Sequence, residues 1–335
     1  MNKVTIKDIA RESGVSTATV SRVLSNKGYA SEEIKEKVRS IAKRLNYQPN
    51  AVARSLKMDR TNTIGVIIPD ISNPYFMKIS RGIEDTLQKS GYNLIFVSGD
   101  ENSDKEKKML QVLTEKRVDA LVIATSGGNA EDINRVKNSG IPVVLIDRKL
   151  ETDSDDLDLV VEDNIEGAYQ LTNYLINKGH TKIGVVNGSL VSSTGTERYL
   201  GYRKAMEEHG LDLDPDFIFN GHFTQEDGSN AVTYFFNRDE KPTAILSFNN
   251  TMTFGVMLQL TRMGLQIPDD ILVASYGEAE AAQLLSPDGI VSIKQSPYEM
   301  GVKVGEILIN RLVRKINKPV TEIFEPIMNV KTKEI

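Results

Sequence analysis

From residue 62 onward, short runs of Val, Ile and Leu alternate with stretches of helical periodicity. The first apolar runs are TIGVIIP, YNLIFVS, VDALVIA and IPVVLID, and helices are predicted between them near residues 74–90, 104–116 and 130–138. After the acidic loop ETDSDDLD the rhythm resumes with LDLVVED, KIGVVNG, FIFNGHF, TAILSF and ILVASY. Continuous apolar runs joined by helices are typical of parallel strands that are buried on both faces. Two successive sets therefore predict two doubly wound α/β lobes, with a ligand cleft at the carboxyl ends of the strands.

Residues 1–48 are predicted to form three short helices around one small core. Thr5 and Asp8 have the spacing of a capping box, Gly14 interrupts the first helix, and Ser16 and Ser31 have the position of N-caps for the next two. Apolar positions recur at helical spacing in each pattern: Ile6, Ile9 and Ala10; Val20, Val23 and Leu24; and Ile34, Val38, Ile41, Ala42 and Leu45. The segment NYQPN ends the third helix, because proline cannot continue it.

The second of these helices turns small polar side chains and one cation to solvent. Its outward positions hold Thr17, Ala18, Ser21 and Arg22. A helix with small hydroxyl groups and a single guanidinium is suited to enter a groove lined by phosphates and base edges. The segment AVARSLK after Asn50 is predicted to be a further helix, and it is too short to be stable without a partner.

The distribution of charge favours a polyanion as the partner of the N-terminal part. The net charge of the chain is −5 at pH 7. Residues 1–60 hold 13 basic and 6 acidic side chains, whereas the remaining residues hold 28 basic and 40 acidic ones. A basic head on an acidic body indicates a nucleic-acid-binding module attached to a second function.

Several classes of protein are disfavoured by what the sequence lacks. The absence of cysteine excludes disulfides and cysteine-ligated metals and fits a reducing cytoplasm. The start MNKVTIKD is unlike a signal peptide, and no apolar run is long enough for a membrane span. His180, His209 and His222 belong to no recognisable metal or catalytic-triad motif, and the glycine pattern of a P-loop is missing. We therefore expect a cytoplasmic protein, on the nucleoid when bound to DNA, without a metal or cofactor and without enzymatic activity.

The order of these parts and two motifs resemble the lactose-repressor (LacI/GalR) family of bacterial transcription regulators. The motifs are TIKDIARESGVSTATVSRVLS and RLNYQPNAVARSL, and GVIIPDISNPYF, IPVVLIDR, ERYLGYRKAM and KPTAILSFNN extend the similarity over essentially the whole chain. The resemblance implies a small all-α helix-turn-helix head, a linker helix and an α/β effector and dimerisation domain of two lobes like periplasmic binding proteins. The predicted boundaries are 1–48 for the head, 49–61 for the linker, 62–161 plus 292–323 for the first lobe, and 162–291 plus 324–335 for the second.

The resemblance also implies which residues contact DNA. Base edges in the major groove are read at the positions of Thr17, Ala18 and Arg22. Positions that contact phosphates or cap helices are matched by Thr5, Ser16, Thr19, Ser21, Ser31 and Asn50. Leu56, beside Arg54 and Lys57, matches the apolar wedge that linker helices insert into the minor groove, with an ordinary buried leucine as the alternative. A homodimer on a palindromic operator is expected, since two heads on one axis match two half-sites.

In the cleft, the family packs aromatic side chains against the faces of the effector and places polar groups at its edges. Matching positions hold Tyr75, Phe76, Arg148, Thr194, Arg198, Phe223, Asn249 and Gln295. For Tyr75 and Phe76 the alternative is packing in the core. For Arg198 a ligand contact is favoured, because an unpaired guanidinium in a cleft is costly.

Three positions depart from the family pattern, and each loses an acid. His222 replaces the Asp of a GD pair, Asn250 that of an ND pair, and Gly277 that of the G-[FY]-D segment. With both arginines of the cleft retained, these changes favour an anionic effector, since a guanidinium fork holds a carboxylate. We therefore expect a repressor of a carbohydrate-utilisation operon whose effector is a sugar acid of the uronate or ketodeoxygluconate type. A neutral sugar is the alternative if Glu278 has taken over the role of the Asp.

Two other functions compete with an effector-gated regulator. A sugar-binding transport protein is disfavoured by residues 1–57 and by the missing export signal. A regulator controlled by a protein corepressor is known in the catabolite-control branch of the family. That branch carries an Arg where YEMGVKVGEIL has Glu306, so a phosphoprotein corepressor should be repelled.

Overall fold

The computed structural model describes residues 4–26, 28–48, 60–150, 156–284 and 290–330 of the chain. The chain divides into two compact units, Met1–Thr61 and Asn62–Ile335. The predicted linker contacts lie outside the described residues: Asn50, Arg54, Leu56 and Lys57. Within the described ranges, no helix is long and apolar enough to cross a membrane.

The N-terminal unit folds as three helices around a shared apolar core. The helices are α1 (Ile6–Ser13), α2 (Thr17–Leu24) and α3 (Glu32–Arg44). Ile9, Val20 and Val38 have no exposed surface. Each comes from a different helix, so the three helices depend on one another for burial. The predicted helical head is confirmed.

Local hydrogen bonds fix where these helices begin. Asp8 accepts hydrogen bonds from the backbone N–H and the hydroxyl of Thr5, at 3.0 and 2.7 Å. The hydroxyl of Ser16 accepts a bond from the backbone N–H of Thr19 at 3.1 Å. Gly14, which follows α1, has a φ of 72°, in the left-handed region that glycine adopts without strain. These contacts agree with the capping predicted from the spacing.

The first lobe of the second unit is a parallel sheet with helices on both faces. Its strands are β1 (Thr63–Ile68), β2 (Asn93–Ser98), β3 (Ala120–Ile123), β4 (Val143–Ile146), β5 (Asp158–Glu162) and β11 (Thr321–Phe324). Its α-helices are α4 (Pro74–Leu87), α5 (Ser103–Glu115), α6 (Ala130–Asn138) and α11 (Pro297–Leu312). The strand order is β11-β5-β4-β3-β1-β2. Val66 of β1 belongs to one apolar cluster and the next residue, Ile67, belongs to another, as expected for a strand buried on both faces.

The second lobe repeats this architecture. Its strands are β6 (Ile183–Asn187), β7 (Ile218–Asn220), β8 (Ala244–Ser247), β9 (Leu272–Tyr276), β10 (Ile290–Lys294) and β12 (Ile327–Asn329). Its α-helices are α7 (Asn164–Asn177), α8 (Ser193–Glu208), α9 (Gln225–Phe236) and α10 (Asn250–Arg262). The strand order is β12-β10-β9-β8-β6-β7, and β12 pairs antiparallel with β10. The predicted pair of doubly wound lobes is confirmed.

The second lobe is inserted into the first, so the chain crosses between the lobes three times. It leaves the first sheet after β5, returns after β10 to form α11 and β11, and crosses again to add β12. The division predicted from the sequence placed residues 292–294 in the first lobe, but they belong to β10 in the second sheet. It also placed Glu162 and Phe324 in the second lobe, whereas they end β5 and β11 in the first. An apolar run predicts a strand but does not show which sheet the strand joins.

Candidate functional site

The outward face of α2 presents a cation, Arg22, whose side chain has no partner among the described residues. The exposed side chains there are Thr17, Ala18 and Arg22. The guanidinium of Arg22 makes no hydrogen bond or ion pair with any described residue, whereas that of Arg39 donates to Asn26 at 2.7 Å. Gly28 has a φ of 83°, and a β-carbon there would lie 3.1 Å from Cδ of Arg22. The small residue thus leaves room for the arginine side chain beside the turn.

The remaining predicted contacts in the described head are hydroxyl groups. They are the side chains of Thr5, Ser16, Thr19, Ser21 and Ser31, all exposed or half-exposed. The hydroxyls of Ser16 and Thr19 are 2.9 Å apart, and the Ser31 hydroxyl accepts a bond from the backbone N–H of Ile34 at 3.4 Å. These hydroxyl groups thus remain accessible to solvent even where they cap a helix. Their contact with phosphates stays a prediction.

The two lobes of the second unit enclose a cleft of about 610 Å³, a volume typical of small-molecule sites. The eight residues predicted to contact an effector all line it: Tyr75, Phe76, Arg148, Thr194, Arg198, Phe223, Asn249 and Gln295. They come from both lobes and follow the carboxyl ends of strands, where such a fold places ligands. That they bind an effector stays a prediction.

Tyr75 and Phe76 form an aromatic wall at the start of α4. Pro74 occupies the first position of this helix, and Asn73 accepts a bond from the backbone N–H of Tyr75 at 3.0 Å. The two rings meet edge to face with centroids 5.2 Å apart. The hydroxyl of Tyr75 donates to Asp147 at 2.8 Å. Burial, reinforced by Asp147, raises the pKa of Tyr75 well above its ordinary value, so this hydroxyl stays protonated.

Phe223 forms part of the opposite wall, in a backbone conformation that glycine usually adopts. Its φ is 66°. The amide of Asn249 donates to the carbonyl of Phe223 at 3.2 Å, and Oδ1 of Asn249 accepts a bond from the backbone N–H of Met252 at 2.6 Å. A β-carbon at Gly188 would lie 1.9 Å from the Phe223 ring. Asn249 therefore holds the Phe223 loop and caps α10.

The sequence predicted that the guanidinium of Arg148 is free to bind a carboxylate of the effector, but it is already paired. Its Nη1 and Nη2 donate to the two carboxylate oxygens of Glu101 at 2.7 and 2.6 Å. The guanidinium is 3% exposed and lies 5.0 Å from the centroid of the Phe223 ring. Burial alone lowers the pKa of Arg148, but the attraction of Glu101 raises it above its ordinary value. The predicted anion contact of Arg148 is therefore corrected, because an acid of the chain occupies it.

Arg198 keeps part of its guanidinium available to the cleft. Nε donates to Asn164 at 2.9 Å, Nη1 donates to the carbonyl of Phe248 at 2.5 Å, and the guanidinium stacks 3.8 Å from the centroid of the Tyr276 ring. Nη2 has no hydrogen-bond partner within the described ranges. Thr194, one turn earlier on α8, is 1% exposed and also lines the cleft. One N–H pair of Arg198 thus remains for a ligand.

Gln295 fills the space beside the position where the family pattern has an Asp. Its Nε2 donates to Glu162 at 2.6 Å. Gly277 has a φ of 88°, and a β-carbon there would lie 2.6 Å from Oε1 of Gln295, so an Asp at this position would be strained and crowded. Glu278 is exposed, accepts a bond from Asn329 at 3.1 Å and lines a smaller neighbouring pocket. Neither position supplies a carboxylate to the cleft.

The cleft is also lined by acidic side chains that were not predicted from the sequence. They are Asp70, Asp100, Glu101 and Asp147, beside the cations Arg148 and Arg198. The charge argument for a sugar acid therefore does not hold, since carboxylates outnumber guanidinium groups along the described lining. A signal was present: SGDENSD and LIDR each place acids directly after a buried strand.

The histidines show no arrangement for metal or catalytic chemistry. His180 and His209 lie 2.9 Å from the side chains of Thr243 and Asn173, and His222 lines the cleft. Among the side chains that the structure describes, no three His, Asp or Glu residues are grouped so that they could hold a metal ion.

A helix-turn-helix head on the same chain as a two-lobed domain with a polar cleft defines the class of effector-regulated DNA-binding proteins. Residues 5–50 match "Bacterial regulatory proteins, lacI family", and residues 61–328 match "Periplasmic binding proteins and sugar binding domain of LacI family". The chain belongs to the LacI family of bacterial regulatory proteins. It is a DNA-binding transcriptional repressor and not an enzyme, and repressors of this family bind operator DNA and small-molecule effectors, typically as dimers.

Individual proteins are similar to this chain over nearly its whole length, in sequence or in fold. The HTH-type transcriptional repressor PurR of Aliivibrio salmonicida (strain LFI1238) is 36% identical over 312 residues, which cover 93% of each chain. The Lac repressor bound to ONPG in the repressed state has a TM-score of 0.83 at 24% identity, over 99% of this chain and 100% of that one. A LacI-family regulator from Silicibacter pomeroyi has a TM-score of 0.82 at 25% identity, over 98% of both chains.

Proposed function

We propose that the protein is a homodimeric cytoplasmic repressor that binds a palindromic operator on the nucleoid. The outward face of α2 carries the DNA part of this proposal, because Arg22 is exposed and unpaired within the described head. A free guanidinium is suited to a bidentate contact with guanine in the major groove. Two such heads on a dimer axis would read two half-sites.

The DNA part is tested by selecting operators from a random pool and measuring their affinity at increasing salt. Contacts to several phosphates predict that the logarithm of the affinity falls with the logarithm of the salt concentration, with a slope of several units between about 50 and 200 mM. Selected sites should be palindromic. A flat salt dependence, or selected sites without two related halves, would contradict the proposal.

We further propose that the effector is a neutral ring compound, with a neutral sugar as the first candidate. Phe76 and Phe223 line the cleft from opposite lobes and offer apolar surface to a ring. Arg198 retains one N–H pair for a hydrogen-bond acceptor on the ligand. The fork of Arg148 is filled by Glu101, and the other lining carboxylates disfavour an acidic ligand. The regulated genes would then serve carbohydrate utilisation.

Thermal-shift measurements on matched ligands test the effector part. The panel contains neutral sugars, the uronic acid of each sugar, and purine bases as flat aromatic rings. A ligand present at about 100 times its Kd stabilises the folded protein by about 2.7 kcal/mol, and the same ligand should change operator affinity over the same concentration range. A uronic acid that stabilises the protein more than its neutral sugar would contradict the neutral assignment.

A further inference from the structure

Glu101 occupies the position in the cleft where Arg148 would bind an acidic ligand. Its two carboxylate oxygens lie 2.6 and 2.7 Å from Nη2 and Nη1 of the guanidinium. The side chains of Arg148 and Glu101 are 3% and 16% exposed. This two-point geometry is the one by which a guanidinium recognises a carboxylate of any origin.

The loop that carries Glu101 adopts an unfavourable backbone conformation. Asp100 and Glu101 have φ values of 52° and 51°, in the left-handed region that residues with side chains rarely adopt. The loop is held in place, since Asp100 forms an ion pair with Lys105 and Asn102 accepts a bond from the backbone N–H of Lys105 at 2.9 Å. Such a conformation is stable only where several surrounding contacts fix the backbone.

Groups other than Glu101 also hold Arg148 in position. Nη1 donates to the carbonyl of Thr125 at 3.1 Å, and the guanidinium lies over the Phe223 ring. The hydroxyl of Thr125 donates in turn to Glu106, which is fully buried, at 2.9 Å. Nε of Arg148 also lies 3.6 Å from a carboxylate oxygen of Asp147. Removal of Glu101 would therefore leave the guanidinium in place with Nη2 unpaired inside the cleft, a state that a carboxylate from solution would relieve.

We propose that Glu101 is a specificity-determining residue, an internal counter-ion that fills the anion position of Arg148 and restricts the cleft to ligands without a carboxylate there. This inference rests on the proposed role of the cleft as the effector site. A carboxylated ligand would have to displace Glu101, which would then lose its ion pair in a cleft that is also lined by Asp100 and Asp147. A neutral ligand leaves the ion pair intact, so the site discriminates by charge.

Chemical rescue of Glu101→Ala by acetate tests the assignment. Acetate has the carbon and the carboxylate that the substitution removes, and acetamide has the same shape without the charge. Acetate should raise the melting temperature of Glu101→Ala saturably, by about 3 °C at ten times its Kd. Acetamide should not. Asp70→Ala is the matched control, because Asp70 is another carboxylate of the cleft lining and, in the described chain, its carboxylate accepts bonds only from Ser72. Glu101 therefore stays paired with Arg148, and neither this variant nor the wild type should respond to acetate.

A second variant covers the case in which Glu101→Ala fails to fold. Glu101→Gly suits the positive φ, and propionate supplies all the atoms that it removes, with propionamide as the neutral partner. The inference is overturned if the acid and its amide stabilise the Glu101 variants equally, or if acetate stabilises Asp70→Ala as much as Glu101→Ala. This readout needs neither operator nor effector. If acetate stabilises the variant but no neutral ring compound stabilises the wild type, the proposed effector class is rejected. The assignment of Glu101 to the anion position of Arg148 would still hold.

Discussion

Replacing Glu162 by glutamine should remove a pH-dependent contribution to the stability of the effector domain. Glu162 is 4% exposed, and its carboxylate accepts bonds from Nε2 of Gln295 at 2.6 Å and from the backbone N–H of Ser296 at 3.3 Å. Burial raises the pKa of Glu162 to about 7, in spite of the opposing effects of Gln295 and Arg198. The folded protein therefore binds this proton more tightly than the unfolded chain does.

The sign and the size of the effect follow from the two pKa values. The ordinary pKa of this carboxyl is 4.5. The stabilisation from the bound proton is fully present below pH 4.5 and is lost as the pH rises through about 7, because the folded protein must then ionise a buried group. Since each tenfold difference in proton affinity corresponds to about 1.4 kcal/mol, the full loss is about 3 kcal/mol.

Urea unfolding at pH 5 and pH 8 measures this contribution. The free energy of unfolding of the wild type should decrease between these pH values by about 2.5 kcal/mol more than that of Glu162→Gln, which cannot ionise. Glu115→Gln is the matched control, because the Glu115 side chain is exposed and bonded only to Gln111 in the described chain. The pH dependence of its free energy of unfolding should equal that of the wild type. An equal pH dependence in the wild type and Glu162→Gln would refute the reasoning.

Three further substitutions test DNA and effector binding. Arg22→Ala should cost roughly 1–3 kcal/mol of binding free energy at one base pair of each half-site. Arg22→Lys should keep the affinity for random DNA and lose the preference at that base pair. Competition with base-substituted operators measures both effects, and an equal loss of affinity on all DNA would contradict a base contact. Leu56→Ala should reduce operator affinity and bending in gel-shift assays without changing the melting of the effector domain, whereas a lowered melting temperature would indicate a buried structural leucine. Arg198→Ala should abolish the effector response in fluorescence anisotropy and leave operator binding without effector unchanged, and a retained response would exclude Arg198 from the ligand contacts.

The features that the sequence predicted correctly depend on neighbours in the chain or on strand geometry. The Thr5 and Asp8 capping pair and the turn at Gly14 are set within a few residues, so spacing is sufficient to predict them. The buried strands were recognisable as uninterrupted apolar runs. The shared cleft followed because the carboxyl ends of parallel strands meet at one edge of each sheet.

Pairing between distant side chains could not be predicted in this way. Glu101 lies in a polar loop typical of a solvated surface, and nothing near it in the sequence indicates Arg148 as its partner. Gln295 takes up the space beside Gly277, which is visible only once two strand ends are adjacent. The sequence shows which charges are present, but the effector preference depends on which of them neutralise each other.

The insertion of the second lobe into the first sets the order in which the domain is completed during translation. Met300, Val304 and Leu308 of α11 are fully buried in the core of the first lobe, yet they are synthesised only after strands β6 to β10. At roughly 5–20 residues per second, a nascent first lobe therefore waits on the order of ten seconds with this apolar face of its sheet covered only in part, by α4. By the end of that interval the second lobe lacks only one short edge strand, β12. The first lobe thus begins first but receives this core helix only after five strands of the second lobe have been made, and it is the part of the nascent chain on which a ribosome-bound chaperone would act.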